Sequence, residues 1–142
     1  MSTHLQATPT RIRRMRTTGW RAGTARIVDR SSRYGNPWRI EGTVLIAPDG
    51  TTQHLESATA ARKEASARYR AWLSGNGPDT CTVGRKTFDR RRVLAGLPRL
   101  HNRDLACTCS LPTNGEPDYC HATVLIELAA HPANHTGEEA RG

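Results

Sequence analysis

Three of the four cysteines fall in one short stretch, Cys107, Cys109 and Cys120, and His121 follows the last of them directly. Thiolate sulfur and imidazole nitrogen are the donors that suit a tetrahedral zinc ion. Side chains alternate faces along a strand, so a strand over Leu105 to Cys109 points Cys107 and Cys109 the same way. The run from Ala122 to Ala129 is almost wholly apolar, as a short buried helix is, and Asp118 is placed to cap its start. Cys120 and His121 then sit in the first turn, where unpaired N–H groups and the helix dipole favour a thiolate. A strand, a loop and a helix start have to bring three sulfurs and one imidazole to one point.

Three kinds of chemistry are open to such a group. Cys107, Cys109, Cys120 and His121 can hold zinc, although paired cysteines in zinc sites usually stand further apart and adjacent helical residues diverge by about 100°. Alternatively Cys120 is a nucleophile with His121 as its base and a neighbouring thiol as resolving partner, as in a nucleotide-processing transferase or hydrolase that needs no metal. In the third reading the thiols are small buried residues and His121 packs. Cys81, in the strand-like TCTV, either joins the cluster or is a buried thiol by itself.

A second candidate site lies near the front of the chain. RSSRYGNPW, residues 30–38, carries a Gly-Asn-Pro turn signal between the aromatics Tyr34 and Trp38. Arg30, Ser31, Arg33, Gly35, Asn36 and Trp38 are the residues expected to cradle a phosphate or nucleotide, with Gly35 or Asn36 free to take positive φ. Charge points the same way. The formal net charge is +8, and residues 1–40 hold nine Arg against the single acid Asp29, whereas residues 41–142 hold twelve basic and twelve acidic residues. An Arg-rich N-terminal third is suited to nucleic acid or a nucleotide, each phosphate contact releasing a counterion.

The elements that must position these residues follow from local pattern. Residues 1–19, with Arg11, Arg13, Arg14 and Arg16 and almost nothing to bury, read as a flexible basic arm. Residues 20–131 are expected to form one small α/β domain with a short mixed sheet and about three helices. Its expected parts are a strand at Ala25 to Asp29, a hairpin of Val44 to Ala47 and Thr51 to Leu55 across Pro48-Asp49-Gly50, a helix from Ser57 to Ser74 and a shorter one from Phe88 to Leu97. Residues 132–142 read as a disordered tail, and His131 and His135 are left out of the site because ordering a tail costs entropy. No stretch approaches the roughly 18 apolar residues of a membrane span, and the basic N-terminus lacks the apolar core of a signal peptide. A cytoplasmic protein is expected, in which clustered cysteines serve metal or reaction rather than disulfides.

Three ordered motifs add a resemblance. RSSRYGNPW, a helix with Tyr69, Trp72 and Leu73 in Tyr-x-x-Trp-Leu spacing, and LACTC followed by CHATVLIELA together resemble the uncharacterised family known as domain of unknown function 4326, found in bacteria and their phages. The likeness spans residues 25–131. Thr108 stands where the family typically has an aromatic residue, and the loop from Cys109 to Cys120 is longer than usual. The resemblance implies an α/β accessory protein of phage or bacterial type and draws attention to the Gly-Asn-Pro turn and the Cys/His cluster. It implies no activity.

Overall fold

In a computed structural model of the chain, residues 9–15, 19–21, 23–109, 111–112 and 116–130 are described. In chain order they form strands β1 (Arg11–Arg13), β2 (Arg26–Ile27), β3 (Arg39–Glu41), β4 (Val44–Ile46) and β5 (Thr52–His54), helix α1 (Ala58–Leu73) and strands β6 (Thr80–Val83) and β7 (Lys86–Asp89). Helix α2 (Arg90–Gly96), a 3₁₀ turn (Leu97–Leu100), strand β8 (Leu105–Cys107) and helix α3 (His121–Ala129) complete them. The fold is a single small α/β domain with three helices among the described residues. Its strands divide among three small sheets: parallel β1-β8-β2, antiparallel β3-β4-β5 and the hairpin β6-β7.

β8 is central in the parallel sheet, and all three of its residues are buried. Arg11 pairs with Leu105 and Arg13 with Cys107 on one side, Arg26 with Leu105 and Ile27 with Ala106 on the other. A parallel strand covered on both faces loses the alternation of an exposed one. This pairing corrects the expectation for the N-terminal segment. Arg11–Arg13 is a sheet strand rather than free arm, because the β8 backbone takes up its ladder bonds and Arg14 N–H donates to the Cys107 carbonyl at 2.7 Å. The remainder of that segment, residues 1–8 and 16–18, lies outside the described residues, as do residues 131–142 with His131 and His135.

Helix α1 forms where expected. Ser57 caps it by accepting from Ala60 N–H at 3.0 Å, and Gly75 with φ of 107° follows its end. Ala61, Ala65, Tyr69, Trp72 and Leu73 form its buried face. The second helix starts later than its sequence pattern implies. Phe88 belongs to β7, opposite Cys81, and Asp89 caps α2 by accepting from Arg91 N–H at 2.9 Å.

Around α1 the core gathers Val28, Tyr34, Val93, Leu97, Leu100, Leu105 and Leu125. Tyr34 donates to the Gly96 carbonyl at 2.9 Å, and Tyr69 to the Tyr34 carbonyl at 2.5 Å. A methyl group on Gly96 would lie 2.4 Å from the Tyr34 hydroxyl oxygen. Gly96→Ala should therefore lower the unfolding free energy by about 1–3 kcal/mol. In urea titrations, Gly96→Ala with Tyr34→Phe should lose less than the sum of the two single losses, because the atom nearest the added methyl is gone.

Candidate functional site

The sulfurs of Cys107, Cys109 and Cys120 lie within 4.8 Å of one another. Three elements place them. Cys107 ends buried β8, Cys109 follows two residues later at the surface, and Cys120 stands at the N-cap of α3. Cys107 donates to the Cys109 sulfur at 3.6 Å. The helix starts with Cys120 rather than Asp118, the Cys120 sulfur accepting from Ala122 N–H at 3.5 Å. The Asp118 carboxylate, besides accepting Cys120 N–H, has a side-chain partner far off in the chain.

That partner is Arg11. Its guanidinium, whose side chain is 2% exposed, grips Asp118 through two bonds of 2.8 Å and donates to the Cys109 carbonyl at 2.5 Å. Asp118 also accepts Cys120 N–H at 3.2 Å. One buried cation thus ties β1 to both ends of the loop that carries the cysteines. Nothing in a short basic stretch distinguishes this arginine from its neighbours, apart from the apolar Ile12 beside it. Bonds from the Cys107 and Cys120 thiols, aided by the charge of Arg11, hold Cys109 ionised with a pKa of about 3. The same bonds to Cys107 and Cys109, together with burial, push the Cys120 thiol up. The two shifts run in opposite directions and favour the negative charge on the exposed Cys109 sulfur.

His121 stands beside this group without being a member of it. Its Nε2 is 2.6 Å from the Val28 carbonyl, which can only accept, so Nε2 carries a proton. Nδ1 lies 3.7 Å from the Cys120 sulfur, and the ring stands edge to face on Tyr69 at 5.5 Å. Cys120 and His121 are therefore neighbours in space, but Cys120 is buried and held protonated, which is the wrong state for a nucleophile. Cys81 lies away from the trio in β6, where burial raises its thiol.

The trio lines the floor of a cleft of about 240 Å³, with Trp38, Ala65 and Tyr119 among its walls and Arg30, Arg39 and Arg62 around it. Of the residues expected to cradle a phosphate, Arg30, Asn36 and Trp38 line this cleft. Ser31 and Arg33 open instead on a depression of about 190 Å³ beside Lys86 and Arg92. Gly35 makes neither wall. It has no positive φ, and a side chain there would meet the Arg30 backbone at 2.8 Å, so glycine is needed for close approach. Asn36 locks the turn onto α1, donating to the Ala65 carbonyl at 3.1 Å and accepting from Trp38 N–H at 3.0 Å. Arg39, one of the arginines flanking the turn in sequence, also lines the cleft, whereas sequence reasoning missed Arg62, which comes from a helix face that carries no motif. A larger hollow of about 660 Å³ behind Trp38 includes Cys81 but none of the trio.

These features define a small α/β domain that gathers three thiols beneath a cation-lined cleft. The chain belongs to the family described as domain of unknown function (DUF4326), whose match covers residues 12–131. Comparison with curated proteins gave no match, and comparison with solved structures gave none. No helix among the described residues is long and apolar enough to cross a membrane.

Two measurements test this geometry. Asp118→Asn removes the carboxylate charge that grips the buried Arg11 guanidinium and should cost roughly 3–5 kcal/mol in urea unfolding. The pH dependence has a definite sign. Cys109 is depressed, so its contribution to stability is full above the ordinary thiol pKa of about 8.5 and fades as pH falls towards 3. Cys120 is raised, so its contribution is lost above that same ordinary value. Subtracting the stability profile of Cys109→Ser from that of the natural chain should leave a curve rising between pH 3 and about 8. A flat difference would contradict the assignment of the thiolate.

Proposed function

We propose that the protein is a zinc-binding protein whose metal centre forms the floor of a site for a phosphate-bearing ligand, nucleic acid or nucleotide. The observation that carries this reading is the meeting of three sulfurs within 4.8 Å at the base of a cleft bordered by Arg30, Arg39 and Arg62. Zinc–thiolate bonds of about 2.3 Å set sulfurs some 3.8 Å apart around a tetrahedral ion. The Cys107–Cys109 separation of 3.6 Å already matches this. Three protein ligands leave a fourth position open, the arrangement of zinc sites that bind water or substrate. His121 supports the centre from outside by fixing the start of α3 to the Val28 carbonyl.

The metal-free alternative, with Cys120 attacking and His121 as base, receives less support because the ionised and accessible sulfur is that of Cys109. Protein purified without chelator should contain one zinc per chain by elemental analysis. Cys107→Ser and Cys120→Ser should each lower that content severalfold while circular dichroism retains the helices. Binding should release protons, because Cys120 has to ionise, and should weaken as pH falls. Full occupancy by zinc in both variants would remove the trio as ligand set.

A further inference from the structure

We infer that the cleft takes one free nucleotide, a nucleoside monophosphate, rather than a strand of nucleic acid. This deepens the reading of the cleft as a phosphate site and rests on it.

The first argument is charge. Arg30 is half-buried, its guanidinium donating to the Asn36 carbonyl at 2.6 Å and lying 5.0 Å from the Phe88 ring centroid. Among the described residues it meets no carboxylate. Arg62, exposed at the edge of the cleft, donates to the Thr59 hydroxyl at 3.3 Å and meets no carboxylate among the described residues. Arg39 pairs with Glu41 at the surface and adds to the field on Arg30. Burial and that neighbouring charge both disfavour the protonated form of Arg30. No Asp or Glu among the described residues lines the cleft. A phosphate monoester, with about two negative charges at neutral pH, supplies the missing counter-charge.

Size and shape decide between monomer and polymer. The cleft, of about 240 Å³ and open on one side, is of the scale of one small ligand rather than of a polymer track. A strand binder needs a basic groove that tracks about 4–16 nucleotides. The stretch that looked like such a basic track is partly spent inside the fold: Arg11 is held by Asp118, and Arg14 donates to Asp29 at 2.7 Å. Neither of these pairs lines the cleft. The indole of Trp38 and the methyl of Ala65 supply apolar wall for a flat base, with the phosphate towards Arg30 and Arg62.

The test uses the full chain, zinc-loaded and metal-free, with zinc content measured on each sample. Equilibrium dialysis and tryptophan fluorescence would be followed with the four ribonucleoside 5′-monophosphates, the unphosphorylated nucleosides, inorganic phosphate and oligothymidylate. At least one monophosphate should bind about tenfold or more tightly than its nucleoside and than phosphate alone, and Arg62→Met should remove at least that factor. Arg85→Met, outside the cleft, should leave the affinity unchanged. Equal binding of nucleoside and monophosphate would overturn the inference, as would binding of oligothymidylate alone or an unaltered affinity in Arg62→Met. If no phosphate-bearing probe bound at all, the underlying reading of the cleft would fall as well. Failure of the loaded sample to hold zinc, with nucleotide binding retained, would overturn the metal centre alone.

Discussion

The ion pair between Arg11 and Asp118 is the constraint from which the site follows. A guanidinium removed from water needs its charge and its N–H groups answered locally, and here a carboxylate and a backbone carbonyl answer them. Because the partners are 107 residues apart, satisfying one cation also fixes the first strand against the loop preceding α3. The Cys109 carbonyl and Cys120 N–H are held by the same two side chains. The separation of the three sulfurs is thereby set by an interaction in which no sulfur takes part. A wholly apolar contact at this place could hold the elements together, but would not orient a loop carbonyl or favour an anionic thiolate.

On the other side of the cleft, the Gly-Asn-Pro turn works through backbone proximity. Gly35 lets the turn close over the Arg30 backbone, and Asn36 fastens it to the middle of α1. Lys86 reaches in from β7 to the Arg30 and Ser32 carbonyls. These bonds commit several polar groups of the motif to architecture. Guanidiniums and an indole are what the cleft retains for recognition, which is why the chemistry of its rim is so uniformly cationic.

Much of this was readable from the residues. The strand into Cys107, Cys-His at a helix start and the capped α1 all carry local patterns that survive packing, whereas Cys109 falls beyond the strand and at the surface. The readings that changed depended on long-range partners. Arg11 had no local feature to mark it as buried, since its carboxylate lies in another part of the chain. Asp118 had the right type and nearly the right place for a helix cap, yet the cap is Cys120, and the carboxylate serves the arginine and the Cys120 N–H together. Phe88 joined β7 because its partner strand, only a few residues earlier, offered a ladder that an amphipathic pattern cannot reveal. Glycine 35 was recognised as special for the wrong physical reason: crowding, not dihedral freedom, excludes a side chain.

The placement of β8 between β1 and β2 also governs the order of events at the ribosome. Thr10 and Asp104, which meet beside this sheet, are separated by 94 residues, and at roughly 5–20 residues per second the earlier must wait about 5–19 s for the later to be made. During translation the N-terminal strand therefore has no mate, while hairpins and α1 can form without it. The sheet can close only once β8 has been made, and the thiol group only once the start of α3 follows it, so both wait for the last part of the chain.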